Sequence, residues 1–359
     1  MIPRRVLLFP ALLLESVQLK FIAAERGEQV VAAASNADEP GLQMFEHRVL
    51  LPHVHDPAFS EVLSRLLGEE KITHIYCPHD RCYQNLWQLL QQHNPTGVTL
   101  SNGFTQFVSD LVHDALRSNI APIHARFAKR SSRIPIVPLD YLVAFLLTVG
   151  KIAGQSHGGK LATIGCLAND VPAGDWVEIG VACGRSAAFL ALLQQFLGCG
   201  KLVAVDPWTN EEMLQNVNKL DSELPGDKLA WERSARVAML NLLPYCHNNI
   251  AVLRMTSANA YHSYLQSRDF TSPSFGLVPT SGKIGLLHID GNHDQPKVAQ
   301  DLALWGECLL PGAWVVVDDY VWDYGTGPQQ ATDIWLRDNH AKIEEHFVAE
   351  RAMFIKLKA

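Results

Sequence analysis

Paired cysteines, a membrane-length apolar run and an excess of positive charge are all missing from this chain of 359 residues. Its seven cysteines, at 77, 82, 166, 183, 199, 246 and 308, form no Cys-x-x-Cys pair. An odd number scattered along a long chain does not read as a disulfide framework, and a reducing cytoplasm is the expected setting. No apolar stretch approaches the roughly 18 to 20 residues needed to span a bilayer. Thirty basic against 37 acidic side chains leave a net charge of -7, which offers no global attraction to nucleic acid or to an anionic membrane. No repeat or low-complexity segment is visible. With 48% hydrophobic and 19% charged residues, and 24 Gly and 19 Pro dispersed, disorder and a long coiled coil are excluded.

What is present reads as two α/β regions, taking roughly 150 residues per domain. Arg4-Arg5 followed by the apolar Val6 to Leu14 mimics the start of a signal peptide. Pro10 interrupts that run and Glu15 ends it, so a buried strand leading into a helix is predicted instead. Strands are expected at Val6–Phe9, Gln29–Ala34, Arg48–Leu51 and Ile72–Cys77, with helices between them. Asp56-Pro57 has the N-cap and first-position signature of a helix start. Such alternation predicts a small, doubly wound parallel sheet over residues 1–104. Residues 105–170 read as a helical connector and cap, with a basic stretch from Arg126 to Arg133 best taken as a solvated loop.

From 171 to 359 the alternation is stronger. Asp175–Val181, Lys201–Val205, Ile250–Met255, Ile284–Ile289 and Ala313–Val317 are apolar runs of the kind expected in strands covered on both faces. Ile343–Val348 and Met353–Leu357 are separated by too short a turn for a parallel crossover, so they predict an antiparallel hairpin.

The first strand of this region runs into Glu178-x-Gly180-x-x-x-Gly184. It lacks the third glycine of a dinucleotide fingerprint, and a carboxylate at the strand end would repel a pyrophosphate. A zwitterionic adenosyl ligand suits it better. Asp206 ends the second strand, where an acid can take ribose hydroxyls, and Ser257 follows the third, where a hydroxyl can read an adenine edge. Asp290 ends the fourth and Asp318-Asp319 the fifth, so three carboxylates arise from two neighbouring strand ends. Hard divalent cations favour such oxygen sets.

In that order, these residues resemble a class I S-adenosylmethionine-dependent methyltransferase. The acid set is similar to the metal-dependent O-methyltransferases of sugars and natural products, of the macrocin O-methyltransferase type. The fold implied is a Rossmann-like, mostly parallel sheet with its last strand antiparallel, preceded by a smaller α/β domain. The resemblance implies S-adenosylmethionine held by Glu178, Gly180, Gly184, Asp206, Ser257 and Asp290. It also implies Mg²⁺ on Asp290, Asp318 and Asp319, a small-molecule hydroxyl acceptor, and a homo-oligomer. Where some relatives carry an acid as base, this chain has Asn292. His293, one place on, is then the base expected to take the hydroxyl proton, a histidine that caps a helix or only orients Asp290 being the plainer alternative. Lys297 either assists it or pairs with Asp301 four residues on.

Two other readings stay open on the sequence: an adenosyl-binding scaffold without catalysis, and a hydroxylase relative of the same fold. Nucleic-acid methylation is disfavoured, because the Asn/Asp-Pro-Pro-Tyr/Phe motif of base amino-methylases is absent. The N-terminal region carries His53, His55, Cys77 and His79 at strand ends, in no zinc spacing. They are read as helix caps, and the region as structural or substrate-presenting. The acceptor is expected to be chosen by residues 102–170, by a lid-like Thr209–Met239 insertion with a Pro225-Gly226 turn, and by the loop Trp322–Gly327.

Overall fold

The structure, a computed structural model, describes residues 4–92, 94, 97–101, 104–130, 136–213, 230–246 and 248–359. The expected turn at Pro225-Gly226 and the Ser131–Arg133 end of the basic stretch lie outside the described residues. The chain forms two compact units, Met1–Ser118 and Asn119–Ala359, where the sequence suggests three segments. The boundary falls inside one helix, Phe104–Arg130, with Pro122 within it.

In the first unit the run after Arg4-Arg5 is strand β1 (Arg5–Leu8), followed by β2 (Gln29–Ala34), β3 (Arg48–Leu50), β4 (His74–Tyr76) and β5 (Thr99–Leu100). They pair in parallel in the order β3-β2-β1-β4-β5. Alternation along β1 sends Leu7 to a core that includes Leu63, Ile75 and Leu86. Val6 and Leu8 turn to a second core that includes Leu19 and Ala32. Both faces are therefore covered, as the doubly wound reading requires. The helix expected to open at Asp56 starts at Phe59, and Asp56 instead accepts the Ala58 N–H at 2.8 Å. His79 Nδ1 likewise accepts the Cys82 N–H, at 3.4 Å. The first unit's histidines and cysteines join no metal-ligating group among the described residues.

The second unit contains β6 (Asp175–Ile179), β7 (Leu202–Val205), β8 (Ile250–Leu253), the β9–β10 hairpin (Asp269–Ser272, Gly276–Pro279), β11 (Ile284–Ile289), β12 (Leu309–Val317), β13 (Ile343–Ala349) and β14 (Ala352–Leu357). Seven of these make one sheet, ordered β13-β14-β12-β11-β6-β7-β8. All of its pairs are parallel except β12–β14 and β13–β14. Val177, Val203, Leu287, Val315 and Ile355 are fully buried on one face, each contributing roughly 1.5–3 kcal/mol of apolar burial. Glu350 and Arg351, both at positive φ, close the last hairpin, which makes it the antiparallel pair expected. The fold is a Rossmann-like, mostly parallel sheet with its last strand antiparallel, preceded in the chain by a smaller parallel α/β sheet. Among the described residues, no helix is long and apolar enough to cross a membrane.

Candidate active site

Strand order reverses at β6, whose neighbours are β7 and β11, and a ligand crevice belongs beyond the carboxyl ends there. Gly180 follows β6 at φ +89°, and a Cβ on it would stand 2.0 Å from the Asp290 carbonyl oxygen. Only glycine lets these two strand ends close on each other. Ala182, Trp208 and Asp319 also sit at positive φ, 47°, 48° and 49°. These three follow β6, β7 and β12 at their carboxyl ends.

Beside Gly180 lies a cleft of about 140 Å³. Gly180, Asp206 and Ser257 line it together with Glu212, Asn292, Gln300 and Asp301. Glu178, Gly184 and Asp290 are not in its described lining, each for a visible reason. Glu178 is fully buried within β6 and accepts a 3.0 Å bond from His288 Nδ1. Gly184 caps the helix Arg185–Leu197. The Asp290 carboxylate turns away toward Lys160.

Asp206 carries a heavier internal load than expected. Its Oδ2 accepts the N–H groups of Val181 and Ala182 at 2.9 Å each, and its Oδ1 accepts that of Trp208 at 2.7 Å. Burial pushes its carboxyl up, against the downward pull of these three amides. A carboxylate has about four acceptor positions, so room remains for one ligand hydroxyl, not two. Ser257 Oγ accepts from the Trp305 indole at 2.9 Å and bonds to Asp301. Asp301 is itself pushed up to about 7 by burial, with Ser257 and Lys297 pulling the other way.

The acid cluster is arranged around a lysine. Lys160, on the helix Gly158–Leu167, is 1% exposed. Its Nζ donates to Asp290 Oδ2 at 3.0 Å and to Asp318 Oδ2, and lies 3.4 Å from His288 Nε2. Burial alone would strip its proton, but the two carboxylates outweigh that and raise its pKa. Burial would likewise raise Asp318, yet Lys160 holds it down at about 2. Asp290 is raised by burial and by the Asp318 charge.

His288, Asp290 and Asp318 bring three potential ligand atoms within 4.8 Å of one another. Asp319 stands outside that group. A divalent ion about 4 Å from an ammonium costs roughly 8 kcal/mol at an effective dielectric of about 20. With Lys160 in place, the residues expected to bind Mg²⁺ do not fit it.

His293 is half-buried and forms a T-shaped pair with Trp322, ring centroids 4.7 Å apart. Asp319 Oδ2 approaches its Nε2 at 3.5 Å, outside hydrogen-bonding geometry, and neither ring nitrogen has a hydrogen-bond partner. Burial holds the imidazole below its ordinary pKa, with Asp318 pulling upward. Burial, then Asp318, pushes Asp319 up to about 6. Asn292 is committed to structure: its Oδ1 accepts the Asp294 N–H and its Nδ2 donates to the Glu212 carbonyl. Lys297 pairs with Glu212 at 2.8 Å.

Residues 177–320 match the methyltransferase domain family. This segment is a methyltransferase domain. No curated protein sequence matches the chain. Among solved structures, the chain is similar to the O-methyltransferase NovP at 16% identity, covering 61% of this chain and 79% of that one, TM-score 0.37. It is similar to the calicheamicin methyltransferase CalS11 at 18%, covering 66% and 91%, TM-score 0.40. For an O-methyltransferase from Bacillus cereus in complex with SAH the values are 14%, 71% and 96%, TM-score 0.36.

Around this site stand residues that the sequence alone does not single out. Lys160 lies upstream of the matched segment, after Gly158-Gly159, which read as a loop marker. Asp301 read only as a helix-surface partner for Lys297, yet it is 5% exposed and lines the cleft. Trp322 lies in the loop assigned to acceptor choice, and its ring faces the expected base.

Proposed function

We propose that the methyltransferase domain transfers a methyl group from S-adenosylmethionine to the hydroxyl of a small polar acceptor, with His293 as the base. The observation that carries this reading is an imidazole, biased toward its neutral form, whose two ring nitrogens are both buried and lack a hydrogen bond. A buried polar group without a partner is costly to keep, and a substrate hydroxyl would supply one. The cleft suits the methyl donor: Gly180, Asp206, Ser257 and Asp301 line it, offering carboxylates to a cationic ligand and hydroxyl and carboxyl groups to an adenine edge. When bound, S-adenosylmethionine supplies an electrophilic methyl on sulfonium and leaves as S-adenosylhomocysteine.

His293 takes the proton that the acceptor oxygen gives up as it gains the methyl group. Asp319, 3.5 Å from Nε2, then faces the imidazolium and stabilises its charge. Trp322 shields the ring from water, which keeps the imidazole neutral before the reaction. The sugar-like character of the acceptor rests on the sequence resemblance. The Mg²⁺ expected on Asp290, Asp318 and Asp319 has no step here, because the Lys160 ammonium already bonds the first two.

In calorimetry the protein should bind S-adenosylhomocysteine, and His293→Ala should bind it equally. With labelled S-adenosylmethionine and a panel of sugar and phenol hydroxyl compounds, that variant should lose at least about 100-fold in transfer rate. Unchanged transfer by His293→Ala would remove the histidine from its role.

A further inference from the structure

We propose that the Lys160 ammonium is the resident cation of this site, taking the place of a divalent metal on His288, Asp290 and Asp318. The inference rests on the methyltransferase reading for its meaning, but not for its geometry. Those three side chains are the metal-ligating group found among the described residues, and each meets Lys160. Nζ is 3.0 Å from Asp290 Oδ2, bonded to Asp318 Oδ2, and 3.4 Å from His288 Nε2. Ser156 Oγ lies 3.5 Å away. An ammonium has three N–H donors. Two go to the carboxylates, and the third is shared between His288 and Ser156.

The second layer agrees with this. His288 Nδ1 lies 3.0 Å from Glu178 Oε1. With Nδ1–H donating to Glu178, Nε2 keeps its lone pair and accepts from Lys160. A carboxylate behind a histidine is also how metal-binding histidines are oriented, so the layout of a metal centre is kept with an ammonium at its middle. Lys160 is 1% exposed and all its donors are engaged. It is therefore a positioning residue, fixing the Asp290 and Asp318 carboxylates at the strand ends beside His293. An acceptor hydroxyl then meets no metal, and its proton goes to His293.

Mn²⁺ binding followed by electron paramagnetic resonance tests this on the full-length protein, alongside calorimetry with S-adenosylhomocysteine. Wild type should bind Mn²⁺ no more tightly at this site than Asp318→Asn does. Lys160→Met removes the charge at similar length, and should bind Mn²⁺ at least tenfold more tightly than wild type. Adding Asp318→Asn to Lys160→Met should abolish that gain. Two results would overturn the inference: Mn²⁺ binding by wild type that Asp318→Asn removes, or no gain in a folded Lys160→Met. Should Lys160→Met fail to fold, the wild-type comparison decides alone. Failure to bind S-adenosylhomocysteine would instead sink the methyltransferase reading and leave the Mn²⁺ result standing.

Discussion

Asp301 shows how much a single buried acid can shape the behaviour of a fold. A carboxyl raised from 3.8 to about 7 binds a proton on folding throughout that interval. The folded state then holds more protons than the unfolded one, so stability from this group falls as pH rises from about 4 to about 7, and is flat above. Asparagine keeps an oxygen for Ser257 and never ionises. Asp301→Asn should therefore be more stable than wild type at pH 8, on the order of 2 to 4 kcal/mol, and the gain should shrink toward pH 5. Urea unfolding at the two pH values checks this, and an equal effect at both would remove the titration argument. In sequence the residue was legible only as half of an i,i+4 pair with Lys297. What makes it distinctive is the cleft on one side and Ser257 on the other, and neither is visible in a helical spacing.

Among the elements, the strand-end loops were readable and the lysine was not. Glu178-x-Gly180 at the end of an apolar run and single acids at later strand ends are local patterns, set by what a buried strand and its turn require. The contact of Lys160 with Asp290 spans 130 positions and that with Asp318 spans 158. No periodicity reports such a contact, and one charge in the apolar helix Gly158–Leu167 looks like an ordinary surface residue. The β9–β10 hairpin and the short β5 were missed because polar residues alternate through the first and two residues make the second.

Gly180 and Gly184 share a motif but do different work, and substitution should separate them. A methyl group at 180 meets the Asp290 backbone at 2.0 Å, while at 184 its nearest neighbour is 3.5 Å away. Gly180→Ala should cost at least about 3 kcal/mol and S-adenosylhomocysteine binding with it. Gly184→Ala should cost only the strain of its positive φ, about 1–2 kcal/mol. Urea midpoints for the two variants give the comparison, and equal losses would show that the approach to Asp290 is not what fixes glycine at 180.

For the whole molecule, the chemistry resides in one unit. Every residue assigned to the cleft, the base or the Lys160 cluster lies within Asn119–Ala359, and each unit has hydrophobic cores of its own. Scanning calorimetry should show two transitions, of which S-adenosylhomocysteine raises one. At 100 times its dissociation constant the ligand adds about 2.7 kcal/mol to the state that binds it. A uniform rise of both transitions would mean that the units unfold together. The net charge of -7 is also less concentrated at the strand ends than the three aspartates suggest, since Lys160 offsets part of it internally.

The Asp206 clasp on the loop after β6 also decides what the cleft refuses. ATP carries the same adenosine as the methyl donor, and a pocket that reads only adenine and ribose would fill with it. In phosphate-binding folds the loop amides point outward and hold the phosphate chain. Here those of Val181 and Ala182 point at Asp206, so an incoming triphosphate finds no donors from them and a buried acid nearby. Rejection of the nucleotide is thus built from backbone groups already satisfied, before any ligand arrives.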